Sequence, residues 1–112
     1  MYTETPSVPR NLAALKTCNS VTLTWEASES NGGLEIKHYN VRLADKDNVQ
    51  LLQQSAEASQ REMEINYRNF TPETAYTVYL AAQNDVGFGQ EEMVKVTTKK
   101  YCEYNFHSLG CV

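Results

Sequence analysis

Residues 70–89 read FTPETAYTVYLAAQNDVGFG, and their pattern decides the fold. Tyr76, Val78, Leu80 and Ala82 fall on one side of an alternating run, with Thr77, Tyr79 and Ala81 on the other. A period of two belongs to an extended strand with one face against a core. Turn formers bound the run on both sides, Thr71-Pro72-Glu73 before it and Asn84 to Gly89 after it.

The same alternation recurs outward from this strand. Val21, Leu23 and Trp25 share a face opposite Thr22 and Thr24, and Tyr39, Val41 and Leu43 repeat the pattern. So do Met63, Ile65 and Tyr67, while Val94, Val96 and Thr98 carry a last strand. Leu12 and Ala14 fit a first, edge strand, where Pro6 and Pro9 are tolerated because no ladder donor is needed. Val49 to Leu52 supplies a seventh strand. Further turns fall at Asn31-Gly32-Gly33 and Asp45 to Asn48. Short strands punctuated in this way predict an antiparallel all-β sandwich. One stretch competes: QLLQQSAEASQREME, residues 50–64, is rich in helix formers. Its apolar residues form no continuous stripe at helical spacing, so we read a mobile connection with a short strand at each end.

With 112 residues, 41% hydrophobic and 21% charged, the chain suits one folded domain with one core. A formal net charge of -4 argues against nucleic acid as a partner. No apolar run approaches the roughly 18–20 residues that cross a bilayer, and the polar start MYTETPSVPR lacks a signal-peptide plan. That start fits a domain cut from a larger protein or a native cytosolic one. Three cysteines, Cys18, Cys102 and Cys111, are an odd count that favours one pair, one leftover and an extracellular setting.

Taken in order, the motifs resemble a fibronectin type III domain over about residues 6–98. They are the Pro-rich start with Leu12, Trp25 at the end of the second strand, and Ile36 and Tyr39 in the third. Phe70-Thr71-Pro72 then precedes Tyr76, and the run from Tyr76 to Asn84 leads into Gly87 and Gly89. The resemblance implies a seven-stranded antiparallel, immunoglobulin-like sandwich with Trp25 at its centre, preceded by a leader, residues 1–5, and followed by a Cys- and aromatic-containing tail, residues 99–112. Tyr76 resembles the tyrosine-corner residue, whose hydroxyl bonds to backbone a few residues upstream. Asn84 and the glycines after it suit left-handed backbone. Two departures stand out: Glu26-Ala27-Ser28 lacks the proline often found after the tryptophan, and Phe70 replaces a leucine.

The function implied is a non-catalytic protein-interaction or spacer module of a cell-surface or secreted multidomain protein, of adhesion or receptor type. The alternative is a module of a cytosolic scaffold, cytoskeletal or ubiquitin-ligase protein, or an accessory domain of a larger enzyme. Sandwich domains present loops at one end, which here makes Asn31, Gly32, Val86 and Phe88 the candidate protein-binding residues. Phe88, between Gly87 and Gly89, either anchors a partner or folds over the rim of its own sandwich. The tripeptide Arg-Gly-Asp, with which some family members bind integrins, is absent.

No catalytic constellation is expected, because His38 and His107 are far apart and no nucleophile, metal-helix or phosphate-loop motif occurs. His38 reads as the outward residue of its strand. Cys18, Cys102, His107 and Cys111 lack the short Cys hook of zinc sites, so neither a metal nor another cofactor is assigned. Asn69-Phe70-Thr71 is an N-glycosylation sequon, with Pro72 beside it as a hindrance. In the family topology Cys18 lies at the pole where the last strand exits, which makes Cys18–Cys102 the favoured disulfide and Cys102–Cys111 its competitor.

Overall fold

A computed structural model describes residues 3–17, 20–67 and 69–99. Among these residues the alternating segments form seven strands: β1 (Arg10–Lys16), β2 (Ser20–Glu26), β3 (His38–Ala44), β4 (Gln50–Glu57), β5 (Glu62–Asn66), β6 (Ala75–Gln83) and β7 (Glu92–Thr97). One sheet has the order β1-β2-β5 and the other β4-β3-β6-β7, with every pair antiparallel. The two sheets close over one core, the sandwich that the alternation predicts. Thr98 follows β7 as a buried polar residue, while Ile36 precedes β3 and Tyr67 follows β5, the latter two packed against the core from just outside their strands.

Alternation works because each strand offers one face to the gap between the sheets. Val21, Leu23 and Trp25 of β2, Tyr39, Val41 and Leu43 of β3, and Tyr76, Val78, Leu80 and Ala82 of β6 are all buried in a single cluster. The Trp25 and Tyr39 rings meet with centroids 5.6 Å apart at a 55° tilt. Burying an indole removes roughly 150–250 Å² from water, about 4–6 kcal/mol of stabilisation at ~25 cal/mol per Å². Trp25 Nε1 is buried without a partner among the described residues, at a cost of roughly 1–3 kcal/mol. The apolar gain therefore wins.

The stretch with helix-forming composition is strand along most of its length. β4 pairs with β3 from His38↔Glu57 through Leu43↔Leu52, so the connection to β5 shrinks to residues 58–61. Ladder bonds override helix propensity here, because Ala56 is buried on the inner face while Gln53 and Ser55 stay exposed. Gln53 Nε2 donates across the outer face to Asn40 Oδ1 at 2.7 Å. At the edge, β1 slips by one residue between Arg10 and Ala13. Asn11 absorbs the extra residue with φ 53°, as asparagine tolerates at a bulge.

At the pole where β7 ends, one hydroxyl organises the backbone. Thr71 N donates to Tyr76 Oη at 2.7 Å, the tyrosine corner that the sequence motif predicts. Phe70 stacks edge-on between Tyr76, at 4.8 Å, and Tyr67, at 4.9 Å. The Lys16 ammonium sits 3.9 Å from the Phe70 centroid. A leucine could offer neither the edge-to-face contacts nor a face to a cation, so the phenylalanine changes the local chemistry. Partial burial also pulls the Lys16 pKa below its ordinary value. Thr98 Oγ1 donates to Thr71 O at 2.6 Å and receives Thr74 N at 2.8 Å, which ties the exit of β7 to the same turn.

Trp25→Ala is expected to lower unfolding free energy by about 3–5 kcal/mol in denaturant titration; a loss below about 1 kcal/mol would remove Trp25 from the core. Tyr76→Phe is expected to cost about 1–3 kcal/mol by stranding the Thr71 amide, and an unchanged midpoint would contradict the corner assignment.

Candidate functional site

The opposite pole collects the β2–β3 connection, residues 27–37, and the β6–β7 connection, residues 84–91. The second loop is a closed turn: Asn84 N and Gly87 N each donate to the other residue's carbonyl at 3.1 Å. Gln83 bridges Phe88 in antiparallel fashion, and Gly89 N donates to Ala82 O at 2.8 Å. Its far end is held by Glu91, which takes Arg42 Nε at 2.7 Å and Nη2 at 2.9 Å in a fork. Arg42 Cζ lies 3.9 Å over the Tyr79 ring, and the Glu91 carboxylate raises the guanidinium pKa further. A bidentate, stacked arginine of this kind is a firmer tie than an ordinary surface pair. Lys37 and Asp85 make such an ordinary pair at 3.9 Å, with both side chains largely solvated.

On this pinned loop Val86 and Phe88 remain 49% and 52% exposed. Phe88 therefore keeps about half its surface in solvent despite its bridge to the strand. Asn31 is exposed across from them, its Oδ1 accepting Gly33 N at 2.9 Å. Gly32 is buried, and at φ 77° a Cβ there would collide with the carbonyl of Glu4. Of the four candidate contact residues, Asn31, Val86 and Phe88 offer surface, and Gly32 shapes the turn beneath it.

The sequence expectation of left-handed backbone at Asn84 does not hold, since its φ is not positive; Gly87 takes that role at φ 149°. Its importance lies in the side chain, 2% exposed. Nδ2 donates to Glu4 O and Asn31 O, both at 2.8 Å, and Oδ1 accepts Val86 N at 2.8 Å. The sequence signal was an asparagine opening a turn, a known backbone mimic; the partners 80 and 53 residues away carried no local mark. Gly89 has no positive φ either, and its missing side chain makes room for the Pro6 carbonyl.

The remaining candidates lie elsewhere. Asn69 is exposed at the tyrosine-corner pole, beside the engaged backbone of Thr71. Cys18, Cys102, Cys111 and His107 lie outside the described residues. Thr17 and Ser20, which flank the first cysteine, are joined by a 2.9 Å backbone bond next to Lys16 at that same pole. His38 is exposed on β3. Open hollows of about 240, 330 and 350 Å³ dimple the surface, and their walls carry neither histidine nor cysteine. Among the described residues no helix is long and apolar enough to cross a membrane.

The family model for the fibronectin type III domain matches residues 7–99. The chain belongs to that family. Similar solved structures include domains d3–d4 of the rat CD45 extracellular region, with 15% identity and TM-score 0.72 over 86% of this chain. Domains A168–A170 from titin match with 25% identity and TM-score 0.71 over 87% of it. The FN1–FN3 domains of chicken CNTN1 match with 15% identity and TM-score 0.69 over 85%. The chain spans 51%, 33% and 31% of those three solved chains respectively. Within a fibronectin type III sandwich, a side chain that ties three segments is a sensitive point. Asn84→Ala is expected to cost about 2 kcal/mol or more, because it strands both carbonyls and the Val86 amide. A thermal midpoint within about 2 °C of the parent would show that water replaces those bonds freely.

Proposed function

We propose that this fibronectin type III domain is a non-catalytic protein-interaction module of a cell-surface or secreted multidomain protein, with its contact surface at the Val86–Phe88 pole. The observation that carries this reading is a half-exposed apolar pair on a loop fastened at both ends. A loop whose backbone is already pinned loses little further entropy on docking, which suits its apolar side chains as anchors. Asn31 adds a polar rim across from them. Membership of a family whose domains serve as interaction or spacer modules in longer chains supports the same reading. The odd cysteine count and the exposed sequon asparagine, Asn69, support the extracellular setting and a glycan there. On this reading Cys18 pairs with Cys102.

The full-length protein, carrying a photo-crosslinking residue at Phe88 or at the exposed Leu15 of β1, tests the contact surface in its native cell. An adduct to another protein at position 88 and none at position 15 is the expected result, with Phe88→Ala weakening that partner's affinity at least about tenfold. Adducts confined to position 15 would relocate the surface, and adducts at neither would leave the spacer role. A thiol count and non-reducing peptide map on the same material test the setting: three free thiols would favour the cytosolic alternative, and a Cys102–Cys111 peptide would overturn the pairing.

A further inference from the structure

The loop pole has a third participant. Glu4 N donates to Gly32 O and Ser7 N to Ser30 O, each at 2.9 Å, and Ser30 N returns a bond to Ser7 Oγ at 2.9 Å. Residues 4–7 thus lie along the β2–β3 loop as a strap, with Pro6 buried. The strap also touches the β6–β7 loop through Asn84, whose Nδ2 spends one of its two hydrogens on Glu4 O. The approach is close on both sides. A Cβ on Gly32 would strike the Glu4 carbonyl, and a Cβ on Gly89 would strike that of Pro6.

We infer that this strap is a latch on the loop pole, coupling the position of the chain ahead of the sandwich to the order of both loops. The coupling runs through the rigid amide plane of Asn84. Its donor end is aimed by two carbonyls, Glu4 O and Asn31 O, and its acceptor end holds Val86 N at 2.8 Å and Gly87 N at 3.3 Å. When the strap is drawn away, Nδ2 loses one of its two acceptors and the plane is free to turn. Oδ1 then loosens its hold on Val86 N, and on the Gly87 N that it shares with the Asn84 carbonyl, although neither amide hydrogen-bonds to the strap. At the same moment Ser30 loses its partner and the space above Gly32 and Gly89 opens. Both loops loosen together, and the stage that presents Val86 and Phe88 loses its fixed shape. The latch rests on contacts within the chain, so it stands whether or not a protein docks at Phe88.

Amide hydrogen exchange followed by NMR on the 112-residue chain tests it, using deletion of residues 2–7, Gly89→Ala, and the two combined. Gly89→Ala should expel the strap by collision with Pro6, with no left-handed backbone to strain. The expected result is exchange about tenfold faster or more at Val86 and Gly87 in each single variant, relative to Val78 and Leu80 in the core. In the strap-deleted chain Gly89→Ala should add nothing, because the carbonyl it strikes is gone. Two outcomes overturn the latch: Val86 and Gly87 rising no more than the core amides in both single variants, or Gly89→Ala acting equally with and without the strap.

Discussion

Strand β6 lies inside the four-stranded sheet with Tyr76, Val78, Leu80 and Ala82 all buried on one face. A slip of one residue would turn that whole set outward, so the register of the central strand admits no compromise. Two polar side chains enforce it from the ends, the Tyr76 hydroxyl on the Thr71 amide and the Asn84 carboxamide on the opposite loops. Each is buried and hydrogen-bonded, so a shifted strand would strand both groups at once. Trp25 and Tyr39 fill the space that this register leaves between the sheets. The apolar faces supply most of the energy, and the two polar ends select which arrangement receives it.

Much of this was legible in the sequence, because alternation and turn residues are local signals. Val21-Leu23-Trp25, Tyr39-Val41-Leu43 and the Tyr76 run each announced a strand and its buried face. The length of β4 is not legible in this way, since Gln53, Gln54 and Ser55 make a polar edge whose strand character comes from pairing with β3. At the loop pole, Phe88 was visible as an aromatic between glycines. The strap and the reach of Asn84 were not, because they depend on segments far apart in the chain meeting in space. Gly89 shows the same limit: a glycine reads as a turn residue, while here it marks a place where another backbone passes close.

The two ends of the sandwich are built on different chemistry. The tyrosine-corner end is closed by stacked aromatics, with Lys16 over Phe70 and Thr98 tying down the last strand. The loop end is held by hydrogen bonds, those gathered on Asn84 together with the strap's bonds to Gly32 and Ser30 and the Arg42–Glu91 fork, with Val86 and Phe88 left half-exposed. Ring packing and the Tyr76 and Thr98 hydroxyls together close the first end. Hydrogen bonding makes the second precise and leaves its apolar surface free for contact.

The chain enters beside the loops and leaves at the tyrosine corner, with β1 and β7 running in the same direction in different sheets. A force pulling the two ends apart would therefore load both terminal strands along their length. Antiparallel ladder bonds lie perpendicular to the strands, so such a force meets the bonds of β1 to β2 and of β6 to β7 in shear, many together, instead of unzipping them one by one. Threading of this kind makes the direction of a pull, and not only its size, decide which bonds bear it.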